Sequence, residues 1–219
     1  MGDDGFHRWR YRADVLERVT VLPDGCRDVL VLGGAEEPRR VVLTDIDFCP
    51  RIAVLPRGRE IVGYRLRPGA VVSREVLEGI AAEPERAGSI LRSEVSVLGE
   101  IDEAIGALAT PGATLGSVSK ALGASTRSVQ RQFLRLRLPP PDFWRRLARA
   151  RRAARLVPLG ASLADIACDC GFADQAHMTR DFTQWFGATP AQVRRDTALA
   201  DLIAQPALGD WTGEQISTR

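Results

Sequence analysis

Gln175, His177, Thr179 and Arg180 put an amide, an imidazole, a hydroxyl and a guanidinium within six consecutive positions. These groups can read base edges in a DNA major groove. Gln pairs with adenine and Arg with guanine through two hydrogen bonds each, and a Thr methyl suits the thymine methyl. Upstream, Arg127, Gln130 and Arg131 fall at i, i+3 and i+4, so on a helix they share one face. Arg135 and Arg137 follow in positions suited to phosphate. An isolated polar residue on a helix is most often just a solvated face. Here both sets follow the same turn-and-helix signature, which favours the reading role.

The elements that must position these residues are legible around them. In the downstream copy, Ala164, Ile166 and Ala167 belong to a supporting helix. Gly171 supplies the positive φ of a tight turn, and Phe172 closes that turn from inside. Asp174 is placed to cap the next helix, and Met178 and Phe182 face inward four residues apart. Thr189 and Pro190 open a final short helix. In the upstream copy, Val118, Ala121 and Leu122 form the inner face, Gly123 makes the turn, and Ser125 or Thr126 caps. Val129 and Phe133 then face inward. Between the copies, Pro139, Pro140 and Pro141 stop one helix and Asp142 is a candidate cap for the next. That helix carries a buried stripe of Phe143, Leu147, Ala150 and Ala154, with Arg145, Arg146, Arg149 and Arg152 on its other faces. A strut of ~15 residues is ~22 Å long. It can set two reading helices into successive major grooves, about 34 Å apart.

Residues 112–196 resemble the paired helix-turn-helix domain of the AraC/XylS family of transcription regulators. The resemblance is carried by Ala167-Cys168-Asp169-Cys170-Gly171-Phe172, by His177-Met178-Thr179-Arg180-Asp181-Phe182, and by Phe186-Gly187-Ala188-Thr189-Pro190. Upstream, Ser125, Val129, Gln130, Arg131 and Phe133 match the family's first recognition helix. The resemblance implies double-stranded promoter DNA as a partner and an influence on RNA polymerase. It also implies that Arg127, Gln130 and Arg131 read a first groove, and Gln175, His177, Thr179 and Arg180 a second. Met178 stands where the family usually has Phe or Leu, and the connector from Leu136 to Pro141 lacks the usual Gly and carries extra prolines.

Charge supports a nucleic-acid partner for this half alone. The 219-residue chain has a net charge of +2. Residues 1–110 carry 15 Arg against 19 acids, a net of −4, whereas residues 111–219 carry 15 basic residues against 9 acids, a net of +6. An Arg-favouring genome explains why Lys120 is the sole lysine, but not why acids are sparse in the second half. A hydrophobic content of 45% and a charged content of 26% predict a globular core. No apolar run approaches the roughly 18 residues that span a bilayer. The first residues lack the apolar stretch of a signal peptide, so a cytoplasmic location without membrane partners is expected.

Residues 1–70 read as short strands at 15–22, 29–32, 41–44, 51–55 and 60–66, each bounded by Pro, Gly or Asp turns. Residues 74–82 predict a short helix, and residues 89–109 a longer one whose apolar stripe packs on its own strand domain or on the same helix of a second chain. The segment from Val21 to Leu30, with Gly63 to Ala70, resembles the cupin-like N-terminal domain of a subgroup of these regulators, which implies a small-molecule effector. Only His7 and His177 are available as imidazole ligands, so a His-based metal centre is excluded and no cofactor is expected. Asp24, Asp28, Asp45 and Asp47 read as solvated turn carboxylates before they read as a hard-cation site. Cys26 and Cys49 read as buried thiols before a redox pair, and Cys168 and Cys170 point different ways on a helix. Arg65 and Arg67 alternate on one strand face, as exposed edge charges or as the holders of an anionic ligand.

The expectation is an α+β two-domain chain. A small antiparallel β, cupin-like sensor or oligomerisation domain with helices spans 1–110. An all-α domain of two helix-turn-helix units joined by a linker helix spans 111–196, and a tail spans 197–219. The functional expectation is a non-enzymatic, sequence-specific transcription regulator that responds to a small molecule and can form a homodimer. Two alternatives stand beside it. One is a DNA-modifying or repair enzyme with Cys26 as nucleophile; the other is an architectural DNA-binding protein without ligand input.

Overall fold

Strand formation begins where polar and aromatic residues alternate. In the computed structural model, which describes residues 5–34, 38–205 and 207–208, Phe6–Arg12 forms β1. Arg8, Arg10 and Arg12 face solvent, while Trp9 and Tyr11 turn in. This strand has a clear period of two, although the strand runs expected from the sequence start only at residue 15. β2 (Glu17–Val21), β3 (Asp28–Gly33), β4 (Arg40–Leu43), β5 (Arg51–Leu55) and β6 (Glu60–Leu66) follow the expected runs within a few residues.

The strands pair antiparallel throughout. β1-β6-β3-β4 make a four-stranded open sheet, and β2 and β5 pair separately as a ribbon. Trp9 lies opposite Gly63, and a Cβ on Gly63 would overlap the indole. Only glycine lets this ring lie across the neighbouring strand. α1 (Arg74–Ala82) and α2 (Ala87–Glu94) cover the larger sheet. Val29, Val31, Tyr64 and Leu66 from the sheet pack with Val76, Ile80, Ala87 and Leu91 from the helices as one apolar cluster.

The long helix expected over 89–109 is broken. Val95 is extended, and β8 (Ser96–Val97) pairs with β7 (Ala70–Val71) before α3 (Gly99–Ala109) starts. Two β-branched residues flanking a serine favour this extended link. The apolar stripe of α3 does not cover the strand sheet. Its Ile101, Ala104, Ile105 and Leu108 join the helical core with Trp144, Leu147 and Phe133. Arg152 of the following helical region donates to Ala109 O at 3.1 Å, which pins the end of α3 there.

That region comprises α4 (Leu115–Ala121), α5 (Thr126–Arg135), α6 (Pro141–Leu156), α7 (Leu163–Asp169), α8 (Gln175–Phe186), α9 (Pro190–Arg195) and α10 (Thr197–Ala204). Among the described residues no helix is long and apolar enough to cross a membrane. Pro206 and the tail from Gly209 onward lie outside the described residues, as do 1–4 and 35–37.

Candidate nucleic-acid interface

Each candidate reading helix is started by a polar cap. Ser125 accepts from the Ser128 amide ahead of α5, and Asp174 accepts from the His177 amide at 2.6 Å ahead of α8. The turns before them use Gly123 at φ 63° and Gly171 at φ 76°. Both supporting helices are capped too, by Thr114 with Ser117 and by Ser162. Caps, turns and lengths therefore repeat along the chain, and α6 separates the copies. At 16 residues α6 is ~24 Å long.

Inward faces hold the helices down. Val129 and Phe133 of α5, and Met178, Phe182, Trp185 and Phe186 of α8, are all buried. Phe143, Leu147, Ala150 and Ala154 of α6 are buried as expected, with Trp144 added. In α4, Ala121 is exposed and Ser119 takes the buried place beside Val118. Asp142 does not cap α6. Pro140 holds the cap position, and Asp142 pairs with Arg145 in the first turn.

The outward faces carry most of the candidate readers. Arg127, Gln130 and Arg131 are exposed on α5, and Gln175 and Arg180 are exposed on α8. Thr179 is half-buried, and its hydroxyl donates to Gln175 O at 2.9 Å. Gln175, Thr179 and Arg180 line a shallow concavity together with Ala176. Sequence reasoning passed over Ala176, because a small apolar residue carries no polar signal. It also passed over Leu134, which is 77% exposed on α5, one turn beyond Gln130 and Arg131. The i, i+7 spacing from Arg127 was its available signal.

His177 differs from the others. Its ring stands edge-on to Phe172, with Arg149 Nη2 at 3.1 Å from Nε2 and the Ala173 amide at 3.3 Å from Nδ1. It faces the supporting turn. The arginines of α6 likewise serve the protein interior more than solvent. Arg149 donates to Asp181 at 2.8 Å and to Gly171 O at 3.2 Å, and its guanidinium lies 4.3 Å from the Phe172 ring centre. Arg146 donates to the other oxygen of Asp181 and to Gln184, both at 2.9 Å. The Asp181 side chain is only 3% exposed, so two guanidiniums neutralise a carboxylate held between α6 and α8.

Arg65 and Arg67 are committed elsewhere. Arg65 pairs with Asp24 at 3.1 Å and Asp28 at 3.5 Å, and these charges drive its pKa up despite burial. Burial raises the Asp28 carboxyl, and Trp9 donates to it at 3.0 Å. Arg67 pairs with Asp102 of α3 at 3.0 Å. The chain's own acids thus occupy the arginines expected either at an exposed edge or around an anionic ligand. Asp47 pairs with Arg51 at 2.8 Å, so three of the four turn carboxylates have arginine partners. Cys26 is buried and Cys49 exposed, and neither is in a disulfide among the described residues. Cys168 is exposed while Cys170 is buried, and burial pushes the Cys170 thiol up.

Residues 118–196 match the family described as "Helix-turn-helix domain". This region is an AraC-type helix-turn-helix domain. The match spans the AraC-type domain from Val118 of α4 to Asp196 at the end of α9. A search of curated proteins returned no match. Among solved structures, an AraC-type transcriptional regulator from Chromobacterium violaceum is similar at 22% identity, covering 44% of this chain and 89% of that one with a TM-score of 0.41. ToxT from Vibrio cholerae is similar at 8% identity, covering 87% of this chain and 98% of that one with a TM-score of 0.43.

Proposed function

We propose that this chain is a transcription regulator that binds promoter DNA through two successive major grooves. The reading rests on one observation. The AraC-type domain presents two capped helices, α5 and α8, each with an exposed polar face after a glycine turn and each packed on the linker helix α6. Arg127, Gln130 and Arg131 read one groove; Gln175, Thr179 and Arg180 read the other. Leu134 and Ala176 add apolar contacts suited to thymine methyls. His177 supports the turn of the second unit. The two polar sets differ, so the half-sites differ.

Residues 1–110 form the sensor or oligomerisation part, 111–196 the DNA-binding part and 197–219 the tail. α3 acts as a buttress from the first part onto the second. A small-molecule effector, a homodimeric partner and contact with RNA polymerase follow from the resemblance. The burial of Cys26 speaks against its use as a nucleophile on DNA.

Selection of bound sequences from a random DNA pool with the full-length chain tests the proposal. Two unlike motifs at one fixed spacing of about 10 base pairs are expected. Arg131→Ala should weaken binding by about 1–3 kcal/mol and relax one base position within one motif only. Enrichment of a single motif, or of none, would overturn the two-groove reading.

A further inference from the structure

We propose that the turn at residues 23–27 is a positioning clamp that fixes the spacing of the two reading helices. The inference rests on the two-groove reading above. This turn lies in the strand region, yet its contacts reach across to the joint between α5 and α6. Arg151 of α6 is 5% exposed, and its guanidinium donates to Pro23 O at 2.9 and 3.1 Å. The same group donates to Ile203 O at 2.9 Å and Gln205 O at 3.0 Å, at the end of α10. Burial lowers its pKa to about 10, so it still carries its charge at neutral pH. Three carbonyls from two distant segments therefore converge on one residue of the strut.

Gly25 makes the close approach possible. It sits at φ 75°, and a Cβ there would meet Leu208 at 2.7 Å and Trp144 of α6 at 3.0 Å. The Leu208 amide donates to Asp24 O at 2.7 Å. Arg27 completes the grip by donating to Arg137 O at 3.1 Å. Arg137 lies in the joint two residues after α5, at a φ of 53° that a side chain rarely adopts. Pro139, Pro140 and Pro141 follow, and none of them has an N–H to tie the joint down.

The turn itself is stiff. Asp24 accepts from the Cys26 amide at 2.8 Å and pairs with Arg65, which also faces Asp28. The four-stranded sheet thus anchors the clamp through β6 and β3. On the other side, α6 holds α8 through Arg146, Arg149 and Asp181. The clamp touches both the joint below the first reader and the strut that carries the second. Two readers joined rigidly at the right span bind together far more tightly than two joined loosely.

The test uses the full chain and duplexes that carry both selected half-sites. The spacing is native, or longer by one or two base pairs, and each half-site is also offered alone. The parent should lose affinity sharply when the spacing grows. Arg27→Ala should weaken native-spacing binding by ~10-fold and flatten the spacing profile, with single half-sites bound as by the parent. Gly25→Ala should do the same through its added Cβ. An unchanged spacing profile, or an equal loss on single half-sites, would overturn the clamp. A second measurement needs no DNA. Spin labels at Leu134→Cys and Thr183→Cys, with Cys49 and Cys168 replaced by Ser, report the separation of α5 and α8. One narrow distance is expected in the parent and a broadened one with Arg27→Ala; identical distributions refute the clamp. If the parent shows no sequence-specific binding, the two-groove reading fails and the label distances alone decide the clamp.

Discussion

At the scale of single residues, arginine does two different jobs in this domain. Arg127, Arg131 and Arg180 are exposed, while Arg146, Arg149 and Arg151 serve carboxylates and carbonyls between elements. A planar guanidinium with several fixed donors suits the second task, because it can join three partners at once. Asp181 gives the sharpest case. It is buried on α8, and both of its oxygens accept from α6. Asp181→Ala leaves Arg149, itself only 12% exposed, without its counter-charge. Removing one partner of a buried pair costs about 3–5 kcal/mol. Chemical denaturation should show a loss of that order, and Asp181→Asn a smaller one, since the amide oxygen still accepts. A loss within about 0.5 kcal/mol, the range of ordinary surface changes, would mean that the pair does not brace the helices.

At the scale of elements, the helix-turn-helix units were legible because their signals are local. A cap, a glycine and an apolar pair four residues apart lie close together in the chain. Gly171 makes the point testable. Its φ is 76°, and an added Cβ would meet nothing within 4 Å. Gly171→Ala therefore changes only backbone conformational energy, about 1–2 kcal/mol for a left-handed L-residue. The melting temperature should fall while the selected DNA motif stays the same; a changed motif would show that the turn does more than set the helix angle. What was not legible depended on partners far along the chain. In the sequence the stripe of α3 points to the strand domain or a second copy, and only the folded core shows that it packs among the helices. Arg65 reads as an edge charge or a ligand holder because its acids, Asp24 and Asp28, sit far upstream. The break at Val95 is not legible because the apolar spacing of a helix continues through it. β1 was there to be read as alternation, but its three outward arginines hid the strand.

At the scale of the molecule, charge divides close to where the helix-turn-helix units begin. The first 110 residues are net negative and the remainder net positive. A duplex approaching this chain is attracted to the second part and repelled by the first, so the field itself favours the productive face. Phosphate contacts add a sequence-independent term that falls with salt, because each neutralised phosphate releases condensed counterions. Arg135 is the residue to test. It is exposed on the last turn of α5, beyond the reading residues. A phosphate contact there predicts that Arg135→Ala weakens binding about equally on selected and scrambled duplexes. The slope of log affinity against log salt should become shallower by ~1. Arg131→Ala should behave differently, with most of its loss on the selected duplex. Binding titrations across a series of salt concentrations separate the two. An Arg135→Ala variant with the parent's slope and a loss confined to the selected sequence would move Arg135 into the reading set, and the first helix would then lie deeper along the groove than its first two turns.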